Sequence, residues 1–98
     1  MERVEIEVGR LIWDLYNIGK VAAHGLTAKE VEEVANNEPR FFTNLPGRSA
    51  EYAMIGPDAA NRFIFAAIIP STDDDDAWYV VTAFRMSRRR ALKTYGRG

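Results

Sequence analysis

Apolar and charged residues alternate at the start of the chain, with Val4, Ile6 and Val8 separated by acids and followed by Leu11 and Ile12. That pattern predicts a first strand with one buried face, broken near Gly9. The period then lengthens. Leu15, Ile18 and Ala22 are spaced as the buried stripe of a helix over 14–24. Tyr16, Lys20 and His24 recur at i, i+4 and i+8 and share the opposite face, with Asn17 beside Lys20. A second helix over 27–36 buries Val31, Val34 and Ala35 and turns Lys29, Glu30, Glu32 and Glu33 to solvent.

Beyond Pro39 the pattern becomes strand-like. Short strands are predicted over 40–45 and 51–56. Two longer runs, 62–69 and 77–85, are apolar on both faces and read as central strands. Their connections are short, which favours antiparallel neighbours. A last helix runs from Ser87 to about Tyr95, with Ala91, Leu92 and Tyr95 as its apolar side. The order β-α-α-β-β-β-β-α predicts an α+β fold: a small antiparallel sheet of four to five strands, two N-terminal helices and one C-terminal helix in a single domain.

The joints between elements are marked locally. Asp14 is a good N-cap, since its carboxylate can accept from free N–H groups of the first turn. Trp13 and Ile18 have the spacing of a hydrophobic staple around it. Gly25 stops the first helix, with Leu26 placed for a Schellman contact against Val21. Thr27 and Glu30 fit a capping box that opens the second helix at once, with Leu26 and Val31 as its staple.

Ninety-eight residues at 47% hydrophobic content suffice for one core. The absence of cysteine excludes disulfides and thiolate metal sites, and the single histidine excludes any two-histidine site or mechanism. No apolar run reaches the ~20 residues that span a bilayer, and the first residues do not read as a signal peptide. A soluble cytoplasmic protein, with no membrane partner, is the expectation. The net charge is −1, but its distribution is uneven. Asp73, Asp74, Asp75 and Asp76 form one acidic loop. Against it, residues 85–98 carry Arg85, Arg88, Arg89, Arg90, Lys93 and Arg97 without an acid. The consecutive aspartates lack the alternating ligand spacing of a calcium loop and read as a solvated loop; no metal or cofactor is expected.

Arg88, Arg89 and Arg90 occupy the first turn of the last helix, where cations oppose the macrodipole at roughly 0.3–1 kcal/mol each. A local rule broken repeatedly suggests an external anion, such as phosphate, although an acidic partner or plain surface would satisfy the same pattern. His24, just before the terminal glycine of the first helix, is compatible with simple capping of the last carbonyls. Arg48 and Arg62 lie at turns where a sheet could present them to an anion, or could be ordinary surface arginines. Phe41, Phe42, Phe63, Phe65 and Trp78 are at strand spacing and read as core.

Two stretches carry a family resemblance. Trp13-Asp14, Asn17, Lys20, His24-Gly25-Leu26 and the glutamates from Glu30 to Glu33 resemble the N-terminal signature of BrnT toxins. Val81-Thr82-Ala83-Phe84-Arg85, the arginine-rich helix and Tyr95 resemble its C-terminal pattern, with Phe84 inserted between alanine and arginine. The family's glutamate four residues before the tyrosine is replaced by Ala91.

The resemblance implies a RelE-like fold and the toxin component of a type II toxin–antitoxin system. Its activity would be metal-independent endoribonuclease cleavage of RNA. The implied partner is a small cognate antitoxin protein that neutralises it, so that DNA is met only through the antitoxin complex. In such cleavage the 2′-oxygen attacks the adjacent phosphorus, which needs a base, an acid and positive charge on the phosphorane. His24 would serve as acid or base, because its ordinary pKa lies near working pH. Lys20, Arg85 and Arg88 would stabilise the phosphorane. Arg89, Tyr95, Tyr16 and Arg48 would bind RNA. The rival expectation is a catalytically inactive binding module of the same fold that pairs with an antitoxin-like partner; Ala91 and the acidic pI of about 5.8 favour it.

Overall fold

The computed structural model describes residues 1–96. Among these, six strands and three helices form an α+β fold. The elements are β1 (Arg3–Val4), β2 (Arg10–Ile12), α1 (Leu15–Ala23), α2 (Ala28–Ala35), β3 (Arg40–Thr43), β4 (Tyr52–Pro57), β5 (Phe63–Pro70), β6 (Ala77–Arg85) and α3 (Arg88–Thr94). The sheet order is β1-β3-β4-β5-β6-β2. All neighbours are antiparallel except β2 and β6, which run parallel.

The predicted first strand is therefore two strands, one at each edge of the sheet. Between them residues 5–9 form a strap. Ile6 and Val8 pack on the same core as Val4, so the observed alternation is real but serves a crossover. The first strand leaves the sheet after Val4 rather than at Gly9; Gly9 is where the strap rejoins it, with the backbone too close to Asp76 for a side chain, since a Cβ would lie 2.7 Å from Asp76 Cβ. The Gly9 and Arg10 N–H groups both donate to the Asp76 carbonyl, at 2.8 and 3.1 Å.

Both helix starts follow the sequence. Asp14 caps α1 and Thr27 caps α2, each within a complete capping box; in α1 the reciprocal partner is Asn17. Gly25 has φ +75, and the Schellman bonds Leu26 N–H to Val21 O (3.0 Å) and Gly25 N–H to Ala22 O (2.9 Å) close α1.

The buried stripe of α1 is not the predicted one. Leu15 is 90% and Ile18 42% exposed, and Ala22 is also exposed. Asn17 and Val21 are fully buried instead. Asn17 can go inside because every polar group it carries is used. Its Oδ1 accepts from the Asp14 N–H at 2.8 Å, and its Nδ2 donates to the carbonyls of Ile12 (2.8 Å) and Val80 (3.0 Å).

The glutamates of α2 are also less solvent-facing than predicted. Glu32 accepts from the Trp13 indole at 2.8 Å, Glu33 from the Ala59 N–H at 3.0 Å, and Glu30 from Arg85 at 2.5 Å.

The sheet has a core on each face. On one, Val21, Leu26, Val31 and Val34 meet Met54, Ile64, Ile68 and Val80. On the other, Phe42, Ile55 and Phe65 pack with Phe84, Met86 and Tyr95 near α3. A bulge in β6 sets which residue goes where. Ile68 faces Val80 and Ala67 faces Thr82, so Val81 has no opposite number. The extra residue reverses the alternation beyond it. Ala83 and Arg85 turn to the α2 side, while Thr82 and Phe84 turn to the α3 side.

Candidate functional site

The α3 side of the sheet is only partly covered. Beyond α3, Phe65, Ala67, Thr82 and Phe84 floor a cleft of about 320 Å³. Arg48 on the β3–β4 loop and Arg90 on α3 stand at its walls, and among the described residues no aspartate or glutamate lines it. Phe65 and Phe84 face each other across the strands and stack, with ring centroids 4.9 Å apart at 17°.

Helix α1 runs beside β6 where β2 stops. Asn17 holds the Val80 carbonyl, and two turns later the His24 ring lies 6.2 Å from that of Phe84, tilted by 55°. Tyr16, Lys20 and His24 are all exposed on α1, and the Lys20 ammonium sits 5.8 Å from the Tyr16 ring centroid. Of the face singled out by spacing, His24 is the residue that meets the phenylalanine pair. Asp14 and Tyr79 close this flank. The Tyr79 hydroxyl donates to the Asp14 carboxylate at 3.1 Å; burial first, then that hydrogen bond and charge, push its pKa up.

Other expected site residues are engaged elsewhere. Arg85 lies on the α2 side of β6, bonded to Glu30 at 2.5 Å and to Asp58 at 3.2 Å. Arg62 joins the same cluster, 3.3 Å from Glu30 and 3.5 Å from Asp58. Burial pushes both carboxyls up. Hydrogen bonds outweigh it: Glu30 receives Thr27 and Arg85, and Asp58 receives the Arg62 and Ala60 N–H groups and Arg85. Both are held below the ordinary carboxylate range. Arg88 shares a separate hollow of about 310 Å³ with Arg62 and Arg85.

Tyr95 is built into the second core. Its hydroxyl donates to the Glu38 carbonyl at 2.8 Å, its ring meets Phe63 edge-on, and Arg40 covers the ring and donates to the Tyr95 carbonyl. Arg89 is exposed on α3, and Arg97 lies outside the described residues. Ser87 caps α3 by accepting from the Arg90 N–H at 3.2 Å.

The chain matches no family model, no curated protein and no solved structure.

The spacing of α1 and the turn position of Arg48 pointed toward this cleft. Arg90 and the Phe65–Phe84 pair did not stand out, because their placement depends on the bulge and on how α3 seats over the sheet. The fully buried Ala91 was the usable signal: it fixes the inner side of α3 and sends its neighbour Arg90 to the rim. Among the described residues no cluster of three or more histidine or acidic side chains could hold a metal ion, and no helix is long and apolar enough to cross a membrane.

Proposed function

We propose that this chain is a cytoplasmic BrnT-like toxin with a RelE-like fold, an endoribonuclease that cleaves RNA without metal and is neutralised by a cognate antitoxin. The observation that carries the reading is His24 against Phe84, whose ring helps floor a cleft that Arg48 and Arg90 wall and that, among the described residues, no aspartate or glutamate lines.

The chemistry such a site supports is in-line transesterification. The 2′-oxygen attacks phosphorus, the 2′ proton passes to a base, and the bond to the 5′-oxygen breaks as that oxygen gains a proton. The products are a 2′,3′-cyclic phosphate and a 5′-hydroxyl. His24 takes one of the two proton-transfer roles, since imidazole titrates near neutrality. Arg48 and Arg90, which line the cleft, would hold the phosphorane's charge, with Lys20 on α1. Arg85 supports the site from behind, by tying β6 to α2.

Cleavage of single-stranded RNA in excess EDTA tests this directly. Wild type should cut, and His24→Ala and Arg90→Ala should both fail while remaining folded. A folded, antitoxin-free wild type that leaves RNA intact would overturn the nuclease reading.

The second reading is a binding module that pairs with an antitoxin-like protein. The exposed stripe of Leu15 and Ile18 on α1 favours it, because apolar side chains there gain nothing in the isolated chain. Growth distinguishes the two: a nuclease produced alone arrests its host, and a binding module does not.

A further inference from the structure

The cleft does not end at Arg90. A second hollow of about 530 Å³ shares Met1, Leu45 and Arg90 with it and adds Arg3, Phe42, Lys93 and Thr94. Sharing these three walls, the two make up a trough that reaches from Phe84 along α3 to Arg3 of the edge strand β1. Its lining includes Arg48, Arg90 and Lys93, with Arg3 at the β1 end, and among the described residues no aspartate or glutamate lines either part.

The hollow at the start of α3 also has arginines and, among the described residues, no lining acid, but its Arg62 and Arg85 are already paired with Glu30 and Asp58. The hollow beside the N-terminal strap is lined by Glu5 and Glu7, and the one along α2 by Glu32 and Glu33. A chain of net charge −1 thus sets Arg3, Arg48, Arg90 and Lys93 along this path. Along that path the cations flank an apolar floor in which Phe42 and Phe65 are buried and Phe84 is the partly exposed ring. Cations beside aromatic surface suit a single strand, whose phosphates track the charge while its bases meet the rings. A duplex keeps its base faces stacked inside and has no use for such a floor.

We infer that this trough is a track for single-stranded RNA, with Lys93 binding a phosphate beyond the one that Arg90 holds at the reacting centre. The inference rests on the ribonuclease reading for its choice of RNA. Lys93 and Thr94 stand away from His24 and give the track a subsite that binds without taking part in the chemistry.

Binding of a short, labelled single-stranded RNA with methylated 2′-oxygens, followed by anisotropy across a salt series, tests the track apart from cleavage. Wild type should bind with a steep salt dependence. Lys93→Ala should weaken binding several-fold at low salt and reduce the log–log salt slope by about 0.7, the loss of one single-strand phosphate contact. Arg90→Ala should do the same, and Lys29→Ala, on α2, should match wild type. A track variant with the wild-type affinity and slope, or blunt duplex RNA bound as tightly as the single strand, would overturn the inference, as would a wild type that binds no RNA. Binding of the methylated strand by a protein that leaves ordinary RNA uncut supports the track while removing the nuclease reading.

Discussion

Asn17 donates its buried side-chain amide to the main-chain carbonyl of Val80 at 3.0 Å. This bond joins helix α1 to an edge that the sheet leaves unfinished. Strand β2 pairs with β6 only from Ala77 to Tyr79, and Val80 is the next residue. The same amide holds the Ile12 carbonyl at 2.8 Å, where β2 ends. One side chain therefore replaces the missing strand and sets the line of α1 along β6. That line brings His24 to Phe84.

Replacing Asn17 with leucine should be costly despite the similar size. It strands the carbonyls of Ile12 and Val80 and removes the acceptor for the Asp14 N–H. Each buried polar group left unpaired costs about 1–3 kcal/mol. A loss of about 2–5 kcal/mol in urea unfolding is expected. A loss below about 1 kcal/mol would show that water replaces the amide and that α1 is not held by it.

The cluster of Arg85, Glu30 and Asp58 should shape acid stability. Both carboxyls titrate below their ordinary range in the folded chain. The unfolded chain then binds more protons in the intervening window, so stability falls as pH drops. Their contribution is complete above the ordinary carboxylate range and disappears as pH passes down through the folded values. Arg85→Ala removes the pairing charge and should flatten this acid limb, while costing about 2–4 kcal/mol at neutral pH by leaving Asp58 buried without it. Denaturant titrations at a series of pH values measure both. An acid limb as steep as that of wild type would assign it to other groups.

Arg85 and Arg48 should separate cleanly when stability and cleavage are measured on the same variants. Arg48→Ala changes an exposed loop residue and should leave unfolding within about 0.5 kcal/mol of wild type. Its RNA cleavage should fall by about 10–100-fold. His24→Ala should fall further, by about 10²–10⁴-fold, the usual worth of a positioned acid or base. Arg85→Lys should retain cleavage better than Arg48→Lys, because its role is structural. The reverse order would return Arg85 to the reacting centre.

The elements were readable from the sequence to the degree that their signals are local. Asp14, Thr27, Gly25 and Ser87 mark helix ends through bonds made within a few residues, and each does so in the structure. The long apolar runs gave β5 and β6 for the same reason. What could not be read depends on distant partners. The buried face of α1 turned on Asn17, a polar residue that enters the core only because Val80 and Ile12 offer carbonyls to it. The start of β2 turned on Asp76, far along the chain, whose carbonyl takes the Gly9 and Arg10 N–H groups. At the site, His24 was legible because it is the only histidine. The cleft beside it was not, since the Val81 bulge decides which side of β6 carries Phe84 and which carries Arg85.

Ala91 provides the sharpest test of how this chain relates to the pattern it resembles. That pattern has a glutamate at the corresponding position. Here the side chain is fully buried beneath α3, where it fixes the helix against the sheet and directs Arg90 to the cleft. A carboxylate there would have to lie under the helix without a built partner, or push α3 off the sheet. An unpaired buried charge costs several kcal/mol. Ala91→Glu should therefore lower stability by about 3 kcal/mol or more and weaken RNA binding through the displaced α3. It should not restore cleavage. Thermal unfolding and the cleavage assay, run together, decide the matter. A stable Ala91→Glu protein that cuts RNA faster than wild type would mean that α3 can rotate to present position 91 to the cleft, and that the glutamate is a catalytic group this chain has lost.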